Sequence, residues 1–176
     1  MSGYPLRETA RGLVLDPQDR LLLIAYEAVR DVDPARPGLR RFWFTPGGGV
    51  EAGESYEQAL TRELQEEIGV AGVQPGAWVG RREGPLLLFR KQCHVRERHY
   101  AVRLPSPEID SSRLAETEGD PVLDVRWWDL AALDASGEVV EPLGLVALAR
   151  RVAGGDVPPE PVQLTWTANA TVQAAP

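Results

Sequence analysis

TPGGGVEAGESYEQALTRELQEEIGV, running from Thr45 to Val70, divides into a loop and a helix. Gly47, Gly48, Gly49 and Gly53 admit backbone conformations closed to other residues, so the first half reads as a loop. In the second half Ser55 and Gln58 form a capping-box pattern. Tyr56, Leu60, Leu64 and Ile68 recur every fourth residue as a buried stripe, and Gly69 stands where a helix commonly stops. At roughly 100° per residue, Glu63, Glu66 and Glu67 fall within an arc of about 100° beside that stripe. Three like charges in one small region repel, and they raise one another's pKa values unless water or a cation separates them. A hard divalent cation answers this, because Mg²⁺ prefers oxygen ligands and is commonly shared between carboxylates and a substrate phosphate. Taken alone, Arg62 to Glu67 would suit any solvated helix face. The glycine loop in front of it favours a site.

Gly48, Glu54, Arg62, Glu63, Leu64, Glu66, Glu67, Gly69 and Val70 fill every specified position of the pattern G-x5-E-x7-R-E-U-x-E-E-x-G-U, with U aliphatic. The segment resembles the Nudix box, and the chain is similar in this stretch to Nudix hydrolases. That resemblance implies an α/β/α sandwich with a mixed β-sheet between helices. It also implies hydrolysis of a phosphoanhydride in a nucleoside diphosphate linked to another group: phosphate, ribose, a sugar or a second nucleotide. The Gly47 carbonyl and the carboxylates of Glu63, Glu66 and Glu67 would hold one to three Mg²⁺ or Mn²⁺ ions. Glu54 would pair with Arg62 and tie the loop to the helix. Glu66 or Glu67, or a glutamate outside the box, would take a proton from the attacking water; the outside candidates are Glu97, Glu116 and Glu118. A homodimer is a reasonable expectation on the same ground. Two other readings stay open: a regulatory module that binds a nucleotide on this fold without cleaving it, and an isoprenoid diphosphate isomerase. The isomerase would need a catalytic cysteine, and Cys93 lacks a recognisable surrounding motif.

Around this stretch the composition is that of a globular chain: 176 residues, 43% hydrophobic and 26% charged. Residues 1–155 read as one domain, and 156–176 as a tail that frays or docks as an edge strand through Val162, Leu164 and Trp166. A net charge of −7 argues against an extended nucleic-acid surface or an anionic membrane as partner; the resemblance implies a small nucleotide-type diphosphate instead. No signal-peptide pattern or membrane-spanning run is apparent, so a cytoplasmic location is expected. The single Cys93 excludes an intramolecular disulfide and reads as a small hydrophobe in a strand.

Arg11 to Leu15 and Leu21 to Tyr26 read as a hairpin turned at Asp16 to Asp19, followed by a surface loop over 27–41 and the apolar run Phe42-Trp43-Phe44. Trp43 would fill the core or stack on a substrate base, and Arg40 and Arg41 would steer a phosphate or sit as surface charges. Further strands are expected at Ala77 to Arg82, Pro85 to Gln92, Val95 to Leu104 and Val122 to Trp128, giving a mixed sheet. Val95, Glu97 and His99 share one face of their strand, with Arg96, Arg98 and Tyr100 on the other. His99 would be structural or orient a phosphate. Residues 105–121 form a long acidic connection. A second helix is expected to open at Glu141-Pro142, bury Leu145, Leu148 and Val152, and end at Gly154-Gly155.

Overall fold

The computed structural model describes residues 4–28, 31–33, 35–88, 91–114 and 121–166. Its strands are β1 (Leu6–Leu15), β2 (Leu21–Glu27), β3 (Arg41–Phe44), β4 (Gly47–Gly49), β5 (Trp78–Leu88), β6 (Lys91–Arg103), β7 (Val122–Trp128) and β8 (Val162–Gln163). The helices are α1 (Tyr56–Ile68), α2 (Leu130–Ser136) and α3 (Leu145–Ala153).

β1 is the hub of one mixed sheet. Its whole length pairs in parallel with β6, from Leu6 opposite His94 to Leu15 opposite Arg103. The opposite edge is shared: Thr9, Ala10 and Arg11 pair with β4, and Leu15 pairs with Leu21 of β2. The sheet order is β3-β2-β1-β6-β5-β8, with β4 on β1 and β7 on β2. One strand therefore feeds two diverging arms, and the sheet curls between them.

The β1–β2 turn is made by Asp16, whose Oδ1 accepts from the backbone N–H groups of Gln18 and Arg20 at 2.9 Å each. Asp19 beside it takes the left-handed conformation, φ 59°, which aspartate tolerates. Side-chain alternation then sorts the core into layers. Ala10, Val14, Leu22 and Val102 pack against Leu60, Leu64 and Ile68 of α1. Leu13, Leu15, Leu21 and Leu23 pack against Leu133 of α2 and Leu145, Leu148 and Val152 of α3 on the other face. Each such side chain stabilises the fold by about 1.5–3 kcal/mol when fully buried. A third group, Ile24, Tyr26, Phe44, Leu86, Cys93, Val95, Leu114 and Trp166, lines the inside of the curl. Cys93 is buried there as a small hydrophobe, and burial pushes its thiol pKa up.

The structure differs from the sequence reading in four places. Gly47–Gly49 is a short strand and not wholly a loop. The two strands expected over 77–92 are one strand to Leu88, because β6 pairs with it through Gly84 and Pro85. Among the described residues its outer edge pairs only with β8, opposite Gly80 and Arg81, so the missing N–H of Pro85 interrupts no ladder there. The last helix begins at Leu145 behind Gly144, φ 90°, with Pro142 preceding it on a cis peptide bond. Leu130–Ser136 forms a helix where the sequence suggested none. Among the described residues no helix is long and apolar enough to cross a membrane.

Candidate active site

The site is built where α1 meets β4. Both ends of α1 are closed: Ser55 Oγ accepts from the Gln58 N–H at 3.2 Å, and Gln58 Oε1 accepts from the Ser55 N–H at 2.8 Å. Gly69 in the left-handed conformation, φ 70°, ends the helix. With its length and rotation so fixed, the helix turns Glu63 and Glu67 toward the glycine segment. A Cβ on Gly48 would fall 2.3 Å from Glu63 Oε1, so the carboxylate occupies the space that any other side chain would take. Glu67 is fully buried, and its Oε2 accepts the Gly47 N–H at 2.7 Å.

Arg62 binds these acids together. Its Nε and Nη2 form a fork on Glu54 at 2.9 and 3.0 Å, Nη2 also reaches the Gly49 carbonyl at 2.9 Å, and Nη1 donates to Glu63 Oε1 at 2.9 Å and Glu66 Oε2 at 3.4 Å. The hydrogen bonds from Arg62 and from the Glu51 N–H hold the Glu54 carboxyl down to about 2. Burial pushes Glu63 up, against the pull of Arg62. Glu66 is the more open of the two acids on Nη1, its side chain 45% exposed against 15% for Glu63.

Across from the helix, the β1–β6 register sets Thr9 beside Glu97 and Arg11 beside His99. Glu97 is buried and fully engaged: Thr9 Oγ1 donates to Oε2 at 3.1 Å, Arg11 Nε lies 3.4 Å from the same oxygen, and His99 Nε2 is 3.0 Å from Oε1. Burial alone would raise its pKa, but the hydrogen bond and attraction of His99, with Arg11 and Arg82 nearby, bring it to about 2. Arg11 links this group to the glycine segment. Its Nη1 donates to the Gly47 carbonyl and lies 3.4 Å from the Thr45 carbonyl, and its guanidinium carbon sits 4.1 Å above the centre of the Phe44 ring.

Of the residues singled out in the sequence, Glu54, Arg62, Glu63, Glu66, Glu67 and Gly47 come together, and Glu97 joins them through Arg11. Glu116 and Glu118 lie outside the described residues. Trp43 is fully buried, edge-on to Trp128 at 5.1 Å, and its Nε1 donates to Glu138 at 2.8 Å; it fills the core and does not face a substrate. Arg41 is paired with the same Glu138, and Arg40 lies 3.6 Å from Asp31. His99 is buried against Glu97. Sequence reasoning passed over Arg11, Thr9 and Arg82. The available signal was polar or charged side chains inside otherwise apolar strands.

Among the described residues, no three His, Cys, Asp or Glu side chains stand close enough to form a ready metal site. Guanidinium groups hold the acids instead, Arg62 on Glu63 and Glu66 and Arg11 on Glu97. The donor set nevertheless fits a hard divalent cation: every candidate is a carboxylate or carbonyl oxygen, and the bare Cα of Gly48 leaves room for the Glu63 carboxylate at the centre.

A model of the NUDIX domain matches residues 5–147, and the chain belongs to that family, which makes it a Nudix hydrolase. An 8-oxo-dGTP diphosphatase of Proteus vulgaris is 54% identical over 37 residues, covering 21% of this chain and only 33% of that relative. An RNA pyrophosphohydrolase of Caulobacter vibrioides is 29% identical over 134 residues, covering 66% of this chain and 74% of the relative. Among solved structures, a MutT protein from Methanosarcina mazei Go1 superposes with a TM-score of 0.58 at 19% identity, covering 89% of this chain and 99% of that one. At that identity the likeness concerns the fold alone.

Proposed function

We propose that this chain hydrolyses a phosphoanhydride bond in a nucleoside diphosphate linked to another group, with Mg²⁺ or Mn²⁺ held by Glu63, Glu66, Glu67 and the Gly47 carbonyl. The observation that carries the reading is the gathering of those oxygens on one edge, with the buried Glu97 opposite. When bound, the cation neutralises phosphate oxygens and acidifies a water. The protein's own residues do the rest. The Gly47 N–H fixes the Glu67 carboxylate, Arg62 spaces Glu63 from Glu66, and Glu54 holds Arg62 in place. Glu66, Glu67 or Glu97 accepts the proton from the attacking water.

The relatives suggest which substrates to try. Release of phosphate, pyrophosphate and nucleotide would be followed from 8-oxo-dGTP, the ordinary nucleoside triphosphates, 5′-triphosphorylated RNA, ADP-ribose, nucleotide sugars and dinucleoside polyphosphates. Each would be run with Mg²⁺, Mn²⁺ or chelator. Metal-dependent cleavage of one class is expected and names the linked group. Tight binding without cleavage under every metal would replace this reading with the regulatory module.

A further inference from the structure

Arg11 lies outside the Nudix box, in the apolar strand β1, yet it holds the oxygen that the reading above gives to the metal. Its side chain is buried and fixed at several points: Nη1 on the Gly47 carbonyl, the same nitrogen 3.4 Å from the Thr45 carbonyl, Nε 3.4 Å from Glu97, and the guanidinium carbon 4.1 Å from the centre of the Phe44 ring. We propose that the Arg11 guanidinium is a built-in occupant of the Gly47 carbonyl that competes with the divalent ion for it, withdrawing onto Glu97 when the ion binds. The inference rests on the metal-dependent reading above.

Three features support the exchange. A carbonyl oxygen has two lone pairs, but a divalent ion and a guanidinium sharing it would be close neighbours of like charge, so the two occupancies oppose each other. Arg11 also has somewhere to go. Nε is already at Glu97 Oε2, so giving up Gly47 leaves the guanidinium with a carboxylate and avoids burying an unpaired charge. Finally, a fork is what the position requires, since one planar group spans the carbonyl and the carboxylate at once, as an ammonium group does not. The cost of displacing Arg11 is subtracted from metal affinity, and without metal the same contact stabilises the glycine segment.

The test compares Arg11→Met with Arg7→Met, which removes the same charge from the same face of β1, four residues back and beside Gly49. Mn²⁺ binding is measured by calorimetry, and melting temperature is measured with and without Mn²⁺. Arg11→Met is expected to melt lower than wild type without metal and to bind Mn²⁺ at least about tenfold more tightly, the scale of one charged hydrogen bond. Arg7→Met should tighten it less, by the through-space effect of removing a half-buried charge beside Gly49. Arg11→Met binding no tighter than Arg7→Met would overturn the proposal. If Arg11→Met does not fold, Arg11→Lys keeps the charge but cannot span Gly47 and Glu97; Mn²⁺ affinity unchanged from wild type would then overturn it. Failure of wild type and all variants to bind Mn²⁺ would refute the metal-dependent reading and this inference with it, whereas normal wild-type binding without the Arg11 effect would refute the inference alone.

Discussion

A methyl group at Gly48 and one at Gly47 would do different damage. At Gly48 the atoms nearest the added carbon are those of the Glu63 carboxylate, the movable end of a flexible side chain. Gly48→Ala should therefore fold with little loss of melting temperature, yet push Glu63 out of place and lower kcat by at least about tenfold, since an ångström at a catalytic group costs that much or more. At Gly47 the carbon would lie 2.2 Å from the Ala10 carbonyl on a backbone at φ 127°, so the strand itself must move. Glu67→Gln keeps an acceptor for the Gly47 N–H while removing the charge; steady-state kinetics should register a loss of at least about a hundredfold at nearly unchanged stability, the scale of a lost catalytic proton acceptor. Near-normal turnover would take Glu67 out of the mechanism. Glu54 lends itself to a pH measurement. Its pKa falls from the ordinary 4.5 to about 2 on folding, so the folded state binds fewer protons. The stability it contributes is present above pH 4.5 and is lost as pH falls from there toward 2. Chemical denaturation at several pH values should give Glu54→Gln a shallower decline through that window than wild type, with an effect reduced by solvent screening of the part-exposed pair.

At the scale of elements, α1 could be read from the sequence because each of its signals is local. The reciprocal bonds of Ser55 and Gln58, the stripe of Leu60, Leu64 and Ile68, and Gly69 at the C-terminus all appear in the structure as the spacing predicts. Ser55→Ala should cost about 1 kcal/mol in denaturant titration, as loss of an N-cap side chain commonly does. α2 could not be read this way. Seven residues with Leu130 and Leu133 as its only large apolar positions make too short a pattern, and the helix exists because Leu133 reaches the core. β4 was hidden for the opposite reason. Three glycines have little strand preference of their own, and Gly47–Gly49 is a strand because β1 offers it an edge. The start of α3 was misplaced because Pro142 matched a helix-opening pattern, while Gly144 marks the real boundary. For the site, spacing sets Glu63, Glu66 and Glu67 on one arc of the helix, and the glycine loop and the family pattern mark them as candidates. The contact between Glu97 and the glycine segment depends on the pairing of residues 86 to 88 apart in sequence, and on Arg11 between them, which no short pattern encodes.

At the scale of the whole molecule, a chain of net charge −7 gathers part of its negative charge where α1 meets β4. Mg²⁺ bound only by the native state should then raise the melting temperature. A hundredfold excess over Kd contributes about 2.7 kcal/mol, and each 1 kcal/mol moves Tm by about 2–4 °C in a chain of this size. An unchanged melting curve with and without chelator would count against a cation site that the native state binds.

The parallel pairing of β1 with β6 also has a bearing on how the chain is made. β1 emerges from the ribosome before β6, and its partner cannot be complete until Arg103 has been added. While residues 16–90 are being synthesised, the edge of β1 that β6 will cover has no native neighbour, although β2 and β4 can already close the other side. An open strand edge invites pairing with a stray strand of another nascent chain. Arg11, a charged side chain on that strand, makes the waiting edge less inviting to a stray strand, so a residue that later holds Glu97 has a use before Glu97 is made.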